Sequence, residues 1–227
     1  FENKYHNNFI KEIYNTKTIS KEVKEDLLKT MLPFDEPFVQ DNISNGNRLS
    51  GFNITNGVNY AINHATNPAA IIYYYYYSSG DCTNFASQIL EAGGYGQNNT
   101  GNINSGWWHT VRLENIGITP VPNYVHESSK SWRIVSNFIN YFGIHSTYTS
   151  HKSFAQNLRR GSFISFDDGG DGNWNHMAFV TQVDTGYSTV LGYRDYKVAQ
   201  HTRNYHLWTS NSGNDWEHKA KYAIVIY

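Results

Sequence analysis

The stretch YYYYYSSGDCTNFASQILEAGG, residues 73–94, decides how the chain is read, because its one cysteine stands at a boundary. Behind Cys82, the residues Phe85, Ala86, Ile89 and Leu90 recur at the spacing of one helical face, and Gly93-Gly94 supplies the stop. Cys82 is therefore expected at a helix N-terminus. Free backbone N–H groups and the positive end of the helix dipole lower a thiol pKa there, from about 8.5 into the range of roughly 3.5 to 7.5. The same N–H groups can hold an oxyanion once a thiolate has attacked a carbonyl. Asp81 reads as a capping acceptor. It is a poor base for its direct neighbour, and added negative charge there would raise the thiol pKa.

Working outward, Val58, Ala61, Ile62 and Ala65 predict a helix over residues 56–67, capped by Thr55 or Asn56. Residues 71–77 read as a short strand or as an aromatic loop beside a cleft. A third helix is expected at 131–142, where Trp132, Val135, Phe138, Ile139 and Phe142 form a stripe closed by Gly143. Beyond Gly161 the runs 162–166, 176–183, 187–193, 196–201 and 222–227 are β-rich and separated by Gly, Asp and Asn. Helices first and antiparallel strands later define an α+β domain over residues 53–227. Upstream, residues 3–32 carry an amphipathic pattern, and PFDEPFVQDNISNGNRLSG follows as a linker, so residues 1–52 form a helical segment and linker.

Composition removes several classes of function. Charged residues make up 16% of the 227, against about 25% in a typical domain. The formal net charge is −1 with no basic cluster, which argues against a nucleic-acid partner. No apolar run approaches the roughly 18 to 20 residues of a membrane span, and the opening FENKYHNN has no signal-peptide core, as in a mature or excised fragment. One cysteine permits no internal disulfide and no Cys-rich zinc site, and no H-E-x-x-H is present. FDDGGDGNWN places Asp167, Asp171 and Gly172 near calcium-loop offsets, but Gly169 stands at a ligand position and no bidentate Glu follows. No metal or organic cofactor is expected. Trp107-Trp108, in a Gly/Asn loop, either floor a substrate groove or staple the loop to the core.

A nucleophilic thiol needs a base, and His176 in GDGNWNHMAFVTQV opens a strand after a polar loop, where its side chain would project at a sheet edge. Spacing alone does not single it out among ten histidines. The segments GDCTNFASQILEAGG, SWRIVSNFINYF, GSFISFDDGGDGNWNHMAFVTQVD and VAQHTRNYHLWTS, in this order, resemble the putative amidase domain family of bacterial wall and secreted proteins. That family is grouped with papain-like cysteine amidases and peptidases. The resemblance spans about residues 53–227. It implies a papain-like fold, Cys82 as nucleophile, His176 as general base and acid, and His201 of AQHT as the third, orienting group. Two departures stand out: Ser162 replaces the Asp usual in the family, and no Gln precedes Cys82 at the oxyanion-donor spacing of papain-type enzymes. A hydroxyl from Tyr73 to Tyr77 is the remaining candidate donor.

These readings predict a cysteine hydrolase of the amidase or peptidase type, cleaving an amide in bacterial peptidoglycan through an acyl-thioester and acting as a secreted or wall-associated protein. The wall substrate follows from family habit alone. The same site would serve a protease or transpeptidase-like toxin acting on protein amides. The Tyr/Trp-rich composition also fits a noncatalytic wall-binding module. For the orienting group, a tight turn at 184–186 would bring Asp195 opposite His176, while a hairpin continuing to 187–189 would bring residues near His201 there.

Overall fold

The structure is a computed structural model and describes residues 50–69, 72–76, 80–114 and 123–226. The amphipathic segment expected over residues 3–32, and most of its linker, lie outside the described residues.

Helix α1 runs Ile54–His64 and helix α2 Cys82–Ala92. A two-stranded ribbon follows, β1 (His109–Glu114) paired antiparallel with β2 (Asn123–Ser128). Next come the short helix α3 (Lys130–Arg133), α4 (Val135–Phe142), strand β3 (Ser146–Tyr148) and α5 (His151–Asn157). Strands β4 (Phe163–Asp167), β5 (His176–Val183), β6 (Tyr196–Gln200), β7 (Tyr205–Trp208) and β8 (Lys221–Ile226) complete the order. The sheet has six strands in the order β3-β8-β4-β5-β6-β7, every pair antiparallel. The fold class is α+β.

Both faces of this sheet are covered, which explains why its central strands read as apolar runs and not as alternations. Phe85, Ala86, Ile89 and Leu90 of α2 pack with Phe163, Met177, Phe179, Ala199, Ala223 and Val225 on one face. On the other, Phe154, Ala155 and Leu158 from α5 and the segment just after it, with Trp216, pack against Ile164, Phe166, Ala178, Val180, Val198, Tyr222 and Ile224. Each buried Leu, Ile, Val, Phe or Met among them is worth about 1.5–3 kcal/mol relative to leaving it exposed. Odd and even positions of β5 thus serve different cores.

α1 starts two residues earlier than the spacing suggests, because Asn53, and not Thr55 or Asn56, caps it by accepting from Asn56 N at 3.1 Å. The Gly93 stop of α2 also has a packing cause. A Cβ there would lie 2.1 Å from the Phe52 ring, and Asn53 N donates to Gly93 O at 2.7 Å, so the end of α2 is clamped to the start of α1. The helix expected over 131–142 breaks at Ile134, whose φ of −119° and ψ of 126° are extended. Residues 72–76 form no strand, and 187–193 is a turn closed by Ser188 N donating to Tyr193 O at 3.1 Å. No helix among the described residues is long and apolar enough to cross a membrane.

Candidate active site

Cys82 is the first residue of α2 and is 8% exposed. Asp81 occupies the cap position without a capping hydrogen bond from its side chain, which corrects the expectation of a capping acceptor. Its carboxylate turns to other donors: Tyr76 N at 3.1 Å and Asn84 Nδ2 at 2.8 Å on Oδ1, and His201 Nδ1 at 2.5 Å on Oδ2. The first-turn N–H groups of α2 are thereby left to bind an anion. Burial pushes the Cys82 thiol up, but the neighbouring His176 imidazole, the Met177 N–H and the Thr83 hydroxyl all favour the thiolate, and the net shift is downward.

His176 opens β5, and its backbone is pinned from both sides. Ser165 Oγ donates to His176 O at 2.7 Å, and Phe166 pairs with His176 across the ladder. The preceding loop is organised by Asp167, whose two oxygens accept from Gly170 N at 2.7 Å and Gly172 N at 2.8 Å, while Asn175 Oδ1 accepts from Asp168 N at 2.7 Å. The calcium-like spacing of this loop thus has a structural origin: the Asp167 carboxylate is spent on its own backbone. The His176 ring lies against Phe166 (5.2 Å between centroids) and Trp216 (6.1 Å). Burial lowers its pKa, yet Cys82, the Gln200 side chain and the Asp215 charge outweigh this and raise it. A thiol shifted down beside an imidazole shifted up is the condition for a thiolate–imidazolium pair, which titrates as a unit.

The group behind His176 is Gln200, the neighbour of the His201 that the family resemblance implies. The second of the two hairpin registers is the observed one: Phe179 pairs with Ala199 and Val180 with Val198. Continuing that register sets Gln200 opposite Ala178, on the face of β5 that carries His176. The Gln200 carboxamide is held by two contacts, Oε1 accepting from Trp216 Nε1 at 2.8 Å and Nε2 donating to Arg203 O at 3.3 Å. His176 Nε2 is buried without a hydrogen bond of full geometry. Such contacts are often long in a free site and tighten in the reacting complex.

His201 points the other way. Its ring is fully buried, stacks on Phe85 at 3.8 Å and 9°, and contacts Asp81 through Nδ1 and the His64 carbonyl through Nε2 at 2.8 Å. It therefore does not orient His176. Asp195 lies at the far end of the hairpin, beside the Val183–Tyr196 pair, where it accepts from Tyr196 N, Thr209 Oγ1 and Ser210 Oγ. Ser162 is equally remote, accepting from Arg159 N at 3.1 Å before β4. Trp107 and Trp108 are 0% and 3% exposed and staple their loop to the core, with Trp107 Nε1 donating to Ser87 Oγ at 2.9 Å. Two of the tyrosine hydroxyls are engaged elsewhere, Tyr73 with Glu91 at 2.8 Å and Tyr75 with Asn204 at 3.1 Å. Tyr77 lies outside the described residues.

A helix-terminal thiol, a strand-borne imidazole and an amide behind it define a site suited to acyl-group chemistry. The profile of the family described as "Putative amidase domain" matches residues 51–225, and the chain belongs to that family. Amide hydrolysis is the class of reaction this membership indicates. The chain is also similar to the uncharacterized protein YhbB of Bacillus subtilis (strain 168), at 29% identity over 121 residues. That match covers 52% of this chain, which spans about a third (34%) of the relative's length. No solved structure matches it.

Proposed function

We propose that the chain is a papain-like cysteine amidase that hydrolyses an amide bond in bacterial peptidoglycan, as a secreted or wall-associated protein. The observation that carries the cysteine mechanism is the meeting of Cys82, first residue of α2, with His176, first residue of β5, in a contact that favours the thiolate and the imidazolium together. A nucleophile-bearing helix packed on an antiparallel sheet that bears the histidine supports the papain-like reading. The peptidoglycan substrate rests on the family resemblance.

In this mechanism the Cys82 thiolate attacks the scissile carbonyl carbon, and the oxyanion is received by first-turn N–H groups of α2. The imidazolium of His176 delivers its proton to the leaving nitrogen as the C–N bond breaks, which leaves a thioester on Sγ and a neutral imidazole. Water then attacks the thioester while His176 takes its proton, and the carboxylic acid departs with the thiolate–imidazolium pair restored. The Gln200 side chain, which raises the His176 pKa, favours the protonated imidazole.

The test is digestion of purified peptidoglycan, with the new termini identified by mass spectrometry. The proposal expects new amine and carboxyl ends that vanish in Cys82→Ala. Digestion that persists in that variant rules out the thiol mechanism. If peptidoglycan stays intact while simple peptide amides are cut, the substrate is a protein amide.

A further inference from the structure

The family-like motif AQHT carries a histidine that the catalytic geometry does not use, and the nucleophile is preceded by an aspartate that should oppose it. The two features meet in one contact. Asp81 is 1% exposed and His201 fully buried, with Oδ2 and Nδ1 2.5 Å apart. The second nitrogen of His201 faces the His64 carbonyl, which can only accept, so Nε2 carries a hydrogen. Wherever the remaining proton sits between Nδ1 and Oδ2, the two side chains sum to zero charge. We propose that His201 keeps Asp81 electrically silent beside the nucleophile, acting as a positioning residue that lets a carboxylate organise the start of α2 without opposing the Cys82 thiolate.

Each part of this arrangement has a local cause. The Asp81 carboxylate is needed as a hub: it gathers Tyr76 N and Asn84 Nδ2, and Asn84 in turn donates to the Tyr74 carbonyl at 2.9 Å and accepts from Trp132 Nε1 at 2.8 Å. Thr202, the neighbour of His201, accepts from Asp81 N at 2.8 Å and ties the β6 end to the same point. An apolar or amide residue at 81 would lose part of this hub, and an unpaired carboxylate would bring a full negative charge next to Sγ. The groups packed around the pair do not offset that charge. His64 from α1 has its pKa lowered by burial, Tyr60 has its pKa raised well above the usual phenol range, and the Tyr75 ring meets His201 edge-on. His176, at the start of β5, is already committed to the thiol.

The functional meaning of this inference rests on Cys82 as the nucleophile, but its test reads the thiol directly. The apparent pKa of Cys82 is obtained from iodoacetamide alkylation rates against pH in wild type, His201→Gln and Asp81→Asn/His201→Gln, with folding checked by near-UV circular dichroism. A uncompensated unit charge at neighbouring-residue distance shifts the pKa by about one to two units at an effective dielectric near 20. His201→Gln should therefore raise the apparent pKa by about that much, and the double variant should return it to the wild-type value. An unchanged pKa in the single variant, or an equal rise in both, overturns the proposal, because the effect would then be absent or steric. Should His201→Gln not fold, Asp81→Asn decides: a pKa at the wild-type value supports the inference, and a fall, the sign of a carboxylate charge felt at the thiol, or a rise refutes it. Amide turnover is measured separately, so a chain without amidase activity refutes the functional reading while leaving the thiol shift intact.

Discussion

Replacing Gln200 with alanine is the sharpest probe of how the imidazole is held. Gln200 is 1% exposed, and its Oε1 is the partner of the fully buried Trp216 indole N–H. The variant leaves that donor unsatisfied, at about 1–3 kcal/mol, and removes packed atoms besides, so a stability loss of roughly 2–4 kcal/mol is expected. Catalysis should suffer on a separate account. A hydrogen bond to an ionised group is worth about 1.5–3 kcal/mol, so losing the acceptor behind the imidazolium should lower kcat by about 10- to 100-fold, with KM little changed. The direction of the pH effect is fixed as well. Gln200 helps raise the His176 pKa, so its removal lowers that pKa, and the alkaline limb of the rate profile, where the imidazolium is lost, moves to lower pH. Gln200→Asn keeps an acceptor drawn back by one methylene and should fall between the two. Steady-state kinetics from pH 5 to 10, alongside urea denaturation, separates the effects. A folded Gln200→Ala protein with kcat within about twofold of wild type and an unmoved alkaline limb would refute this role.

Two further predictions concern the scaffold. Ser87, fully buried on α2, donates to Trp132 O at 2.8 Å and accepts from Trp107 Nε1, so Ser87→Ala orphans a buried acceptor and a buried donor and should cost about 2–4 kcal/mol by urea denaturation; a loss under about 0.5 kcal/mol would contradict the assignment. His109, stacked on Trp132, has its pKa lowered to about 3 by burial and by His126, so the unfolded chain binds a proton that the folded chain refuses, and stability present above about pH 6.5 is lost as pH falls toward 3. At pH 5 that loss is about 2 kcal/mol, and in His109→Gln the drop in the urea midpoint between pH 7 and 5 should shrink accordingly; equal drops in both proteins would show that His109 does not titrate on unfolding.

The parts of the fold written in long periodic patterns were legible. Phe85, Ala86, Ile89 and Leu90 locate α2 and with it the position of Cys82, and β5 spans the same residues that its apolar run suggests. The short edge elements were not, because three residues in β3 and four in β7 hold too little period to be distinguished from turns. The run at 187–193 is β-prone in composition, yet Gly192 at φ +76° and an outward Val190 make it a turn. The alternatives legible in the sequence for the group behind His176 were His201 and Asp195, and the position of Gln200 turns on one residue. Val183 pairs with Tyr196 and Gln182 with Lys197, and an unbroken ladder from there would bring His201 opposite Ala178 on the face of His176. The register shifts between Val180 and Gln182, which exchanges His201 for Gln200 and turns the histidine toward Asp81. A bulge of this kind leaves little trace in composition. The family motif points to His201, while the neutral amide beside it takes the position.

The central claim is that Cys82 carries the acyl group between the two halves of the reaction. Intact-protein mass spectrometry of enzyme mixed with a substrate amide and quenched in acid within the first turnovers tests it directly. The account predicts an adduct equal to the acyl fragment, mapped to Cys82 by peptide analysis, labile to hydroxylamine and absent in Cys82→Ser and His176→Ala. Amide cleavage at full rate with no adduct on Cys82, or with turnover retained in Cys82→Ala, would contradict it.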